Sequence, residues 1–203
     1  MTGLAGIEVE GFTRASLILR GALAAGAAYG TGAVGPFVAR AFAQVPTGDI
    51  EILQFALGLE NLQAGFYKAA LAQAGLTGRI KDLATEFGTH EAAHADTIKK
   101  LIESLGGKPN PPAKAKFDVK DQKSFLRTAI ALEETGVSAY NGAAPAIQTP
   151  DLLAAAGGIV QTEARHAGAL RMLAGQDPAP AAFDKALAPD AVLQQVKPFL
   201  QTS

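Results

Sequence analysis

The sequence predicts an all-α protein, a bundle of four long helices with one long crossover between the second and the third. Three observations predict it. Four segments carry apolar residues at alternating three- and four-residue spacing, the period of a helix with one buried face. No segment alternates with a period of two, so no strand is expected. Gly106, Gly107, Pro109, Pro111 and Pro112 break up the stretch leading to Lys120, which cannot continue a helix.

Residues 1–43 differ in character from the rest of the chain. Arg14 and Arg20 precede a Gly/Ala-rich stretch without charge from Gly21 to Phe37, and Ala41-Phe42-Ala43 supplies the small-x-small pattern of a signal-peptidase site before Gln44. Thr13 to Arg20 resembles a twin-arginine export signal, with Ala15 where the second arginine would stand. The segment is expected to be an export signal or N-terminal anchor, placing the protein in the periplasm, cell envelope or extracellular space. An ordinary N-terminal helix is the alternative. The stretch is too short and too mildly apolar for a permanent membrane span.

The bundle is expected over 44–176 and a C-terminal extension over 177–203. The first helix should run from Asp49 as N-cap to Gly75, with Leu53, Leu57, Glu60, Ala64, Tyr67 and Leu71 on its seam. Gly75 to Gly78 is a tight turn, so the second helix returns antiparallel. Its seam reads Ile80, Leu83, Phe87, Glu91, His94, Ile98, Leu101, Leu105, and Gly106-Gly107 ends it. A helix of about 26 residues is roughly 39 Å long. Fifteen extended residues span about 50 Å, enough for 106–120 to travel the length of the bundle. The third helix starts near Asp121, carries Leu126, Ile130, Glu133, Val137 and Tyr140 inward, and stops at Pro145. Thr149-Pro150 opens the fourth, whose seam holds Ala156, Ile159, Glu163, His166, Leu170 and Leu173. A short helix is expected from Asp190 to about Gln201.

Glutamates and histidines occupy core positions in all four seams. Glu91-Ala-Ala-His94 and Glu163-Ala-Arg-His166 each put a carboxylate and an imidazole on one helix face. Glu60 precedes Glu91 by 31 residues and Glu133 precedes Glu163 by 30, while Tyr67 and Tyr140 each follow their glutamate by seven. The seam and the tyrosine spacing select Glu133 over its neighbour Glu134. The chain is thus a repeated hairpin with a pseudo-twofold axis on which the six groups meet. Burying four carboxylates and two imidazoles is very costly unless cations neutralise them. A glutamate from each of two helices with Glu-x-x-His from the other two is the arrangement that holds two iron or two manganese ions. Glu91 and Glu163 would bridge, and Glu60 with His94 and Glu133 with His166 would close the ends. Tyr67 and Tyr140 are core aromatics whose hydroxyls should reach a ligand two turns away and support it.

On these six residues, within about residues 49–175, the chain resembles the ferritin-like superfamily, particularly its exported, desiccation-associated members. The resemblance implies redox chemistry on ferrous iron, dioxygen or hydrogen peroxide, as a ferroxidase-, peroxidase- or catalase-like protein. There is no rubredoxin-type cysteine set, and two histidine ligands set the chain apart from cage ferritins. A non-catalytic exported structural or stress-protection protein stapled by its metal is a second reading. His90-Glu91-Ala-Ala-His94 also matches the H-E-x-x-H zinc-protease pattern, but the second repeat has Thr162 in place of His90.

Composition narrows the rest. A net charge of −1 without a basic run argues against a nucleic-acid partner. The absence of cysteine excludes disulfides, thiolate metal sites and iron–sulfur clusters. The expected partners are a small oxidant or a metal-ion substrate, with envelope association through the N-terminus and a homo-oligomer as further expectations.

Overall fold

A computed structural model describes residues 48–201. The export signal or anchor expected over 1–43 lies outside the described residues. Four long helices, α1 (Asp49–Gln73), α2 (Gly78–Ser104), α3 (Gln122–Ala143) and α4 (Pro150–Leu173), are followed by a short α5 (Pro189–Val196). Two antiparallel hairpins result: α1 packs along α2, and α3 along α4. Among the described residues there is no strand, and no helix is long and apolar enough to cross a membrane.

Local chemistry sets the helix ends. Asp121 accepts from the backbone N–H of Ser124 at 2.7 Å while Ser124 Oγ accepts from the Asp121 N–H at 3.0 Å, a reciprocal cap that starts α3. Asp49 departs from expectation. Gly48 takes the N-cap position of α1, and Asp49 is its first helical residue. Its carboxylate instead accepts from the backbone N–H groups of Gln148 at 2.8 Å and Thr149 at 3.0 Å, satisfying donors at the start of α4.

The inward face of α2 also shifts at its end. Ile102 is fully buried and Leu105 is 40% exposed, because a stride of four from Ile98 keeps pace with the axis and Leu105 lies past the last helical residue. α5 is shorter than the expected Asp190–Gln201, since Pro198 cannot continue it and a 3₁₀ turn, Lys197–Phe199, takes over.

The crossover is tethered. Phe117 and Val119 are buried, and Lys116 N–H donates to Phe199 O at 2.9 Å while Gln201 N–H donates to Lys114 O at 3.0 Å. The C-terminal extension lies on α3 at Gly142, where a Cβ would stand 2.0 Å from Leu187 O.

The apolar core forms two clusters. One gathers Phe66, Tyr67, Phe87, Phe125 and Leu170, with Phe66 stacked on Phe125 at 5.7 Å. The other gathers Leu57, Ile98, Ile102, Tyr140 and Ile159. Glu60, Glu91, Glu133 and Glu163 are buried but belong to neither cluster.

Candidate metal centre

The six side chains singled out in the sequence meet in one layer of the bundle: Glu60 from α1, Glu91 and His94 from α2, Glu133 from α3, Glu163 and His166 from α4. Each reaches it from a seam position, so the periodicity that buries leucines elsewhere buries these groups. Ligand-capable atoms of Glu60, Glu91, His94 and Glu163 lie within 4.8 Å of one another, and so do those of Glu91, Glu133, Glu163 and His166. Glu91 and Glu163 are shared by both groups.

Antiparallel packing of like helices generates this geometry. His94 Nδ1 stands 3.2 Å from Glu60 Oε2, 3.4 Å from Glu91 Oε2 and 3.5 Å from Glu163 Oε1. His166 Nδ1 stands 3.1 Å from Glu91 Oε1 and 3.2 Å from Glu133 Oε2. Each imidazole therefore faces the carboxylates of both hairpins.

The tyrosines differ from expectation in their partners. Tyr67 donates to Glu133, and Tyr140 donates to Glu60, each on the other hairpin. Seven residues along one helix rise about 10.5 Å, beyond a phenol's reach. On an antiparallel neighbour, however, the same offset brings residue 67 level with 133 and residue 140 level with 60.

Burial dominates the electrostatics. All four glutamates are 0% exposed. Loss of solvent raises the pKa of Glu60, and raises that of Glu133 well above the carboxylate range, helped there by the charge of Glu163. Glu91 is pushed up to about 10, first by burial. Burial opposes the charged form of His94, but the carboxylates of Glu163, Glu60 and Glu91 around its Nδ1 outweigh it and push the imidazole up to about 12. Without a metal the cluster thus holds protons in place of cations. Burial, then the adjacent Glu133 and Glu60 charges, keep the Tyr67 and Tyr140 phenols protonated.

The donor set fits a pair of divalent cations. Four carboxylates balance their charge, and oxygen-rich ligation with one imidazole per position suits iron or manganese. Oε1 of Glu91 and Oε1 of Glu163 are buried and receive no hydrogen bond, although each has an imidazole nitrogen at ion-pair distance. An unsatisfied buried acceptor costs about 1–3 kcal/mol, more when charged, and a cation between the carboxylates would remove that cost.

Glu134 points away, its Oε1 accepting from Arg171 Nε at 2.6 Å. His90 belongs to neither ligand group among the described residues. Its Nδ1 lies 3.0 Å from Nε2 of His166, on the side of that ring away from the carboxylates. Burial and the neighbouring His166 lower its pKa, which favours the neutral ring.

Two further residues touch the centre. Gln63 is buried and donates from Nε2 to Glu163 Oε2 at 2.8 Å. Gly136 faces the same oxygen. The signal for both was the three-residue helical step, since Gln63 follows Glu60 and Gly136 follows Glu133 at that interval. Position 136 must lack a side chain for Glu163 to stay where it is.

Comparison with solved structures shows the same fold elsewhere. A conserved hypothetical protein of Mycobacterium tuberculosis matches with a TM-score of 0.57 and 19% identity, over 66% of this chain and 94% of that one. A bacterioferritin-related protein of Bacteroides fragilis, described as a dodecameric thioferritin, matches with a TM-score of 0.56 and 22% identity, over 68% of this chain and 91% of that one. Comparison with curated proteins gave no match. The ferritin-like domain model matches residues 48–176, and the chain belongs to that family.

Proposed function

We propose that the protein binds two iron or two manganese ions through Glu60, Glu91, His94, Glu133, Glu163 and His166, and acts in redox chemistry on ferrous iron, dioxygen or hydrogen peroxide. The observation that carries this reading is the sharing of Glu91 and Glu163 between both ligand groups, each with a buried oxygen that no hydrogen bond reaches. When bound, such a metal pair supplies one-electron steps and open positions for a small oxidant.

The chain's own residues do the rest. Carboxylates from both hairpins would hold the pair between them. Tyr67 and Tyr140 hold Glu133 and Glu60 in orientation, each phenol donating a hydrogen bond to a carboxylate oxygen of the other hairpin. The apolar clusters keep bulk water from the glutamates.

Anaerobic titration with ferrous iron, followed by addition of dioxygen or peroxide, tests the reading. Two ions per chain and consumption of oxidant are expected. Two ions without turnover would instead support a metal that only staples the bundle, a reading favoured by the near-complete burial of five of the six groups. Binding of fewer than two ions would sink the dinuclear assignment.

Export and self-association belong to the same proposal. Arg14, the uncharged stretch 21–37 and Ala41-Phe42-Ala43 support export, and mass spectrometry of native protein should find an N-terminus at or near Gln44. The dodecameric description of the Bacteroides fragilis protein supports a homo-oligomer, which light scattering of the purified chain would reveal.

A further inference from the structure

The ligand sets of the two halves repeat, but their surroundings do not. Shifted by 72 positions, Glu91 and His94 fall on Glu163 and His166, yet Phe87 falls on Ile159 and His90 on Thr162. Against His166 the ring of Phe87 stacks with centroids 3.9 Å apart, and His90 lies 11° from parallel. Both nitrogens of His166 are engaged, Nδ1 toward Glu91 and Glu133 and Nε2 toward His90.

His94 has no such support. The Thr162 hydroxyl donates to Gly158 O at 3.2 Å and accepts from Arg165 Nη2 at 2.9 Å, both on its own helix. Among the described residues no hydrogen bond reaches Nε2 of His94. The His94 side chain is 14% exposed, against 3% for His166. Of the six groups, only His94 borders solvent appreciably.

Resting on the dinuclear reading, we infer that the two cation positions are inequivalent: the position between Glu133 and His166 retains its ion, and the position between Glu60 and His94 exchanges it through the His94 edge. An imidazole that ligates through Nδ1 carries its proton on Nε2. A partner accepting that proton fixes the tautomer and the ring, and loss of such a partner typically lowers metal affinity about 10–100-fold. His90 supplies that acceptor to His166 alone. To release its ion, His166 must break the bond to His90 and leave the face of Phe87. His94 has only to turn through an edge already open, the same edge by which a hydrated divalent cation or small oxidant would enter. His90 is thus a positioning residue, acting through His166.

The test uses the full chain loaded anaerobically with two ferrous ions and challenged with excess of a colorimetric ferrous chelator. Release should occur in two phases of one ion each, separated by about tenfold or more in rate. His90→Ala should accelerate the slow phase about 10–100-fold and leave the fast phase alone. His90→Gln, whose carbonyl can accept the same N–H, should restore most of the retention. Thr162→His, which offers His94 the missing partner, should slow the fast phase. Circular dichroism would show that these partly exposed positions leave the fold intact. Release of both ions in one phase, a fast phase that responds to His90 while the slow one does not, or a Thr162→His fast phase unchanged from wild type, would overturn the inference with two bound ions still in place. Failure to load two ions would overturn the dinuclear reading itself, and the inference with it.

Discussion

Gly136 on α3 faces Glu163 on α4 so closely that a Cβ at position 136 would stand 2.3 Å from Glu163 Oε2 and 3.4 Å from Gln63 Oε1. Replacing a helical glycine by alanine ordinarily stabilises by about 0.5–1 kcal/mol. Here the methyl group meets a buried carboxylate already held by Gln63, and overpacking of this kind costs about 1–3 kcal/mol. Gly136→Ala should therefore lower the urea midpoint and cut metal content together. Unchanged metal content by elemental analysis would show that Glu163 can move aside without loss.

Glu133 and Glu134 make a paired prediction. Glu133→Gln removes a charge and a donor oxygen from the buried layer, and metal content should fall to one ion or fewer per chain. Glu134→Gln loses only a partly exposed ion pair with Arg171, worth about 0.2–1 kcal/mol, and should leave metal content unchanged. Elemental analysis of both variants checks this, and the opposite pattern would overturn the register of α3.

The tyrosine exchange predicts an effect on the metal-free protein. Tyr140→Phe leaves Glu60 buried with one donor fewer, at a cost of about 1–3 kcal/mol. Tyr67→Phe should do the same at Glu133. Denaturation with chelator present should show both losses. If neither variant differs from wild type, the phenols contribute nothing to holding the carboxylates.

Stability of the metal-free chain should fall as pH rises, against the usual acid lability. Glu91, raised to about 10, contributes stability that is fully present below its unfolded value of 4.5 and lost as pH climbs through 10. His94, raised to about 12, contributes stability present below 6.5 and lost toward 12. Both act with the same sign between 6.5 and 10, where the decline should be steepest. Metal loading must displace these protons. Calorimetry at pH 7.5 in two buffers of different ionisation enthalpy should show net proton release, and identical heats in both would contradict it.

Much of the bundle was legible because the residues that break the rules break them in register. A glutamate on a leucine seam is a local oddity, and four of them with matched spacings define helices, hairpins and axis together. Asp49 misled because a good N-cap residue can just as well serve a neighbouring helix; its partners, Gln148 and Thr149, lie a hundred residues away in sequence. The tyrosine partners depended on helix direction, which spacing within one helix does not carry. Gln63 and Gly136 stayed hidden because a glutamine reads as an ordinary polar residue and a glycine as a helix defect until the carboxylate opposite is in place. The pairing of the crossover with the C-terminal segment rests on an isolated bridge between Ala115 and Leu200, far too short to leave a period in the sequence.

The reciprocal bonds of Tyr67 and Tyr140 carry a topological consequence. Each hairpin holds three of the six candidate ligands and the one phenol that completes the other hairpin's glutamate, so the halves behave as a plug and a socket of the same design. Any first hairpin can then serve any second one, including that of another copy, and two chains trading hairpins would rebuild two identical centres. The connection between the halves decides who partners whom. By fastening 114–116 to 199–201 and burying Phe117 and Val119, the fold shortens the leash and favours closure within a single chain.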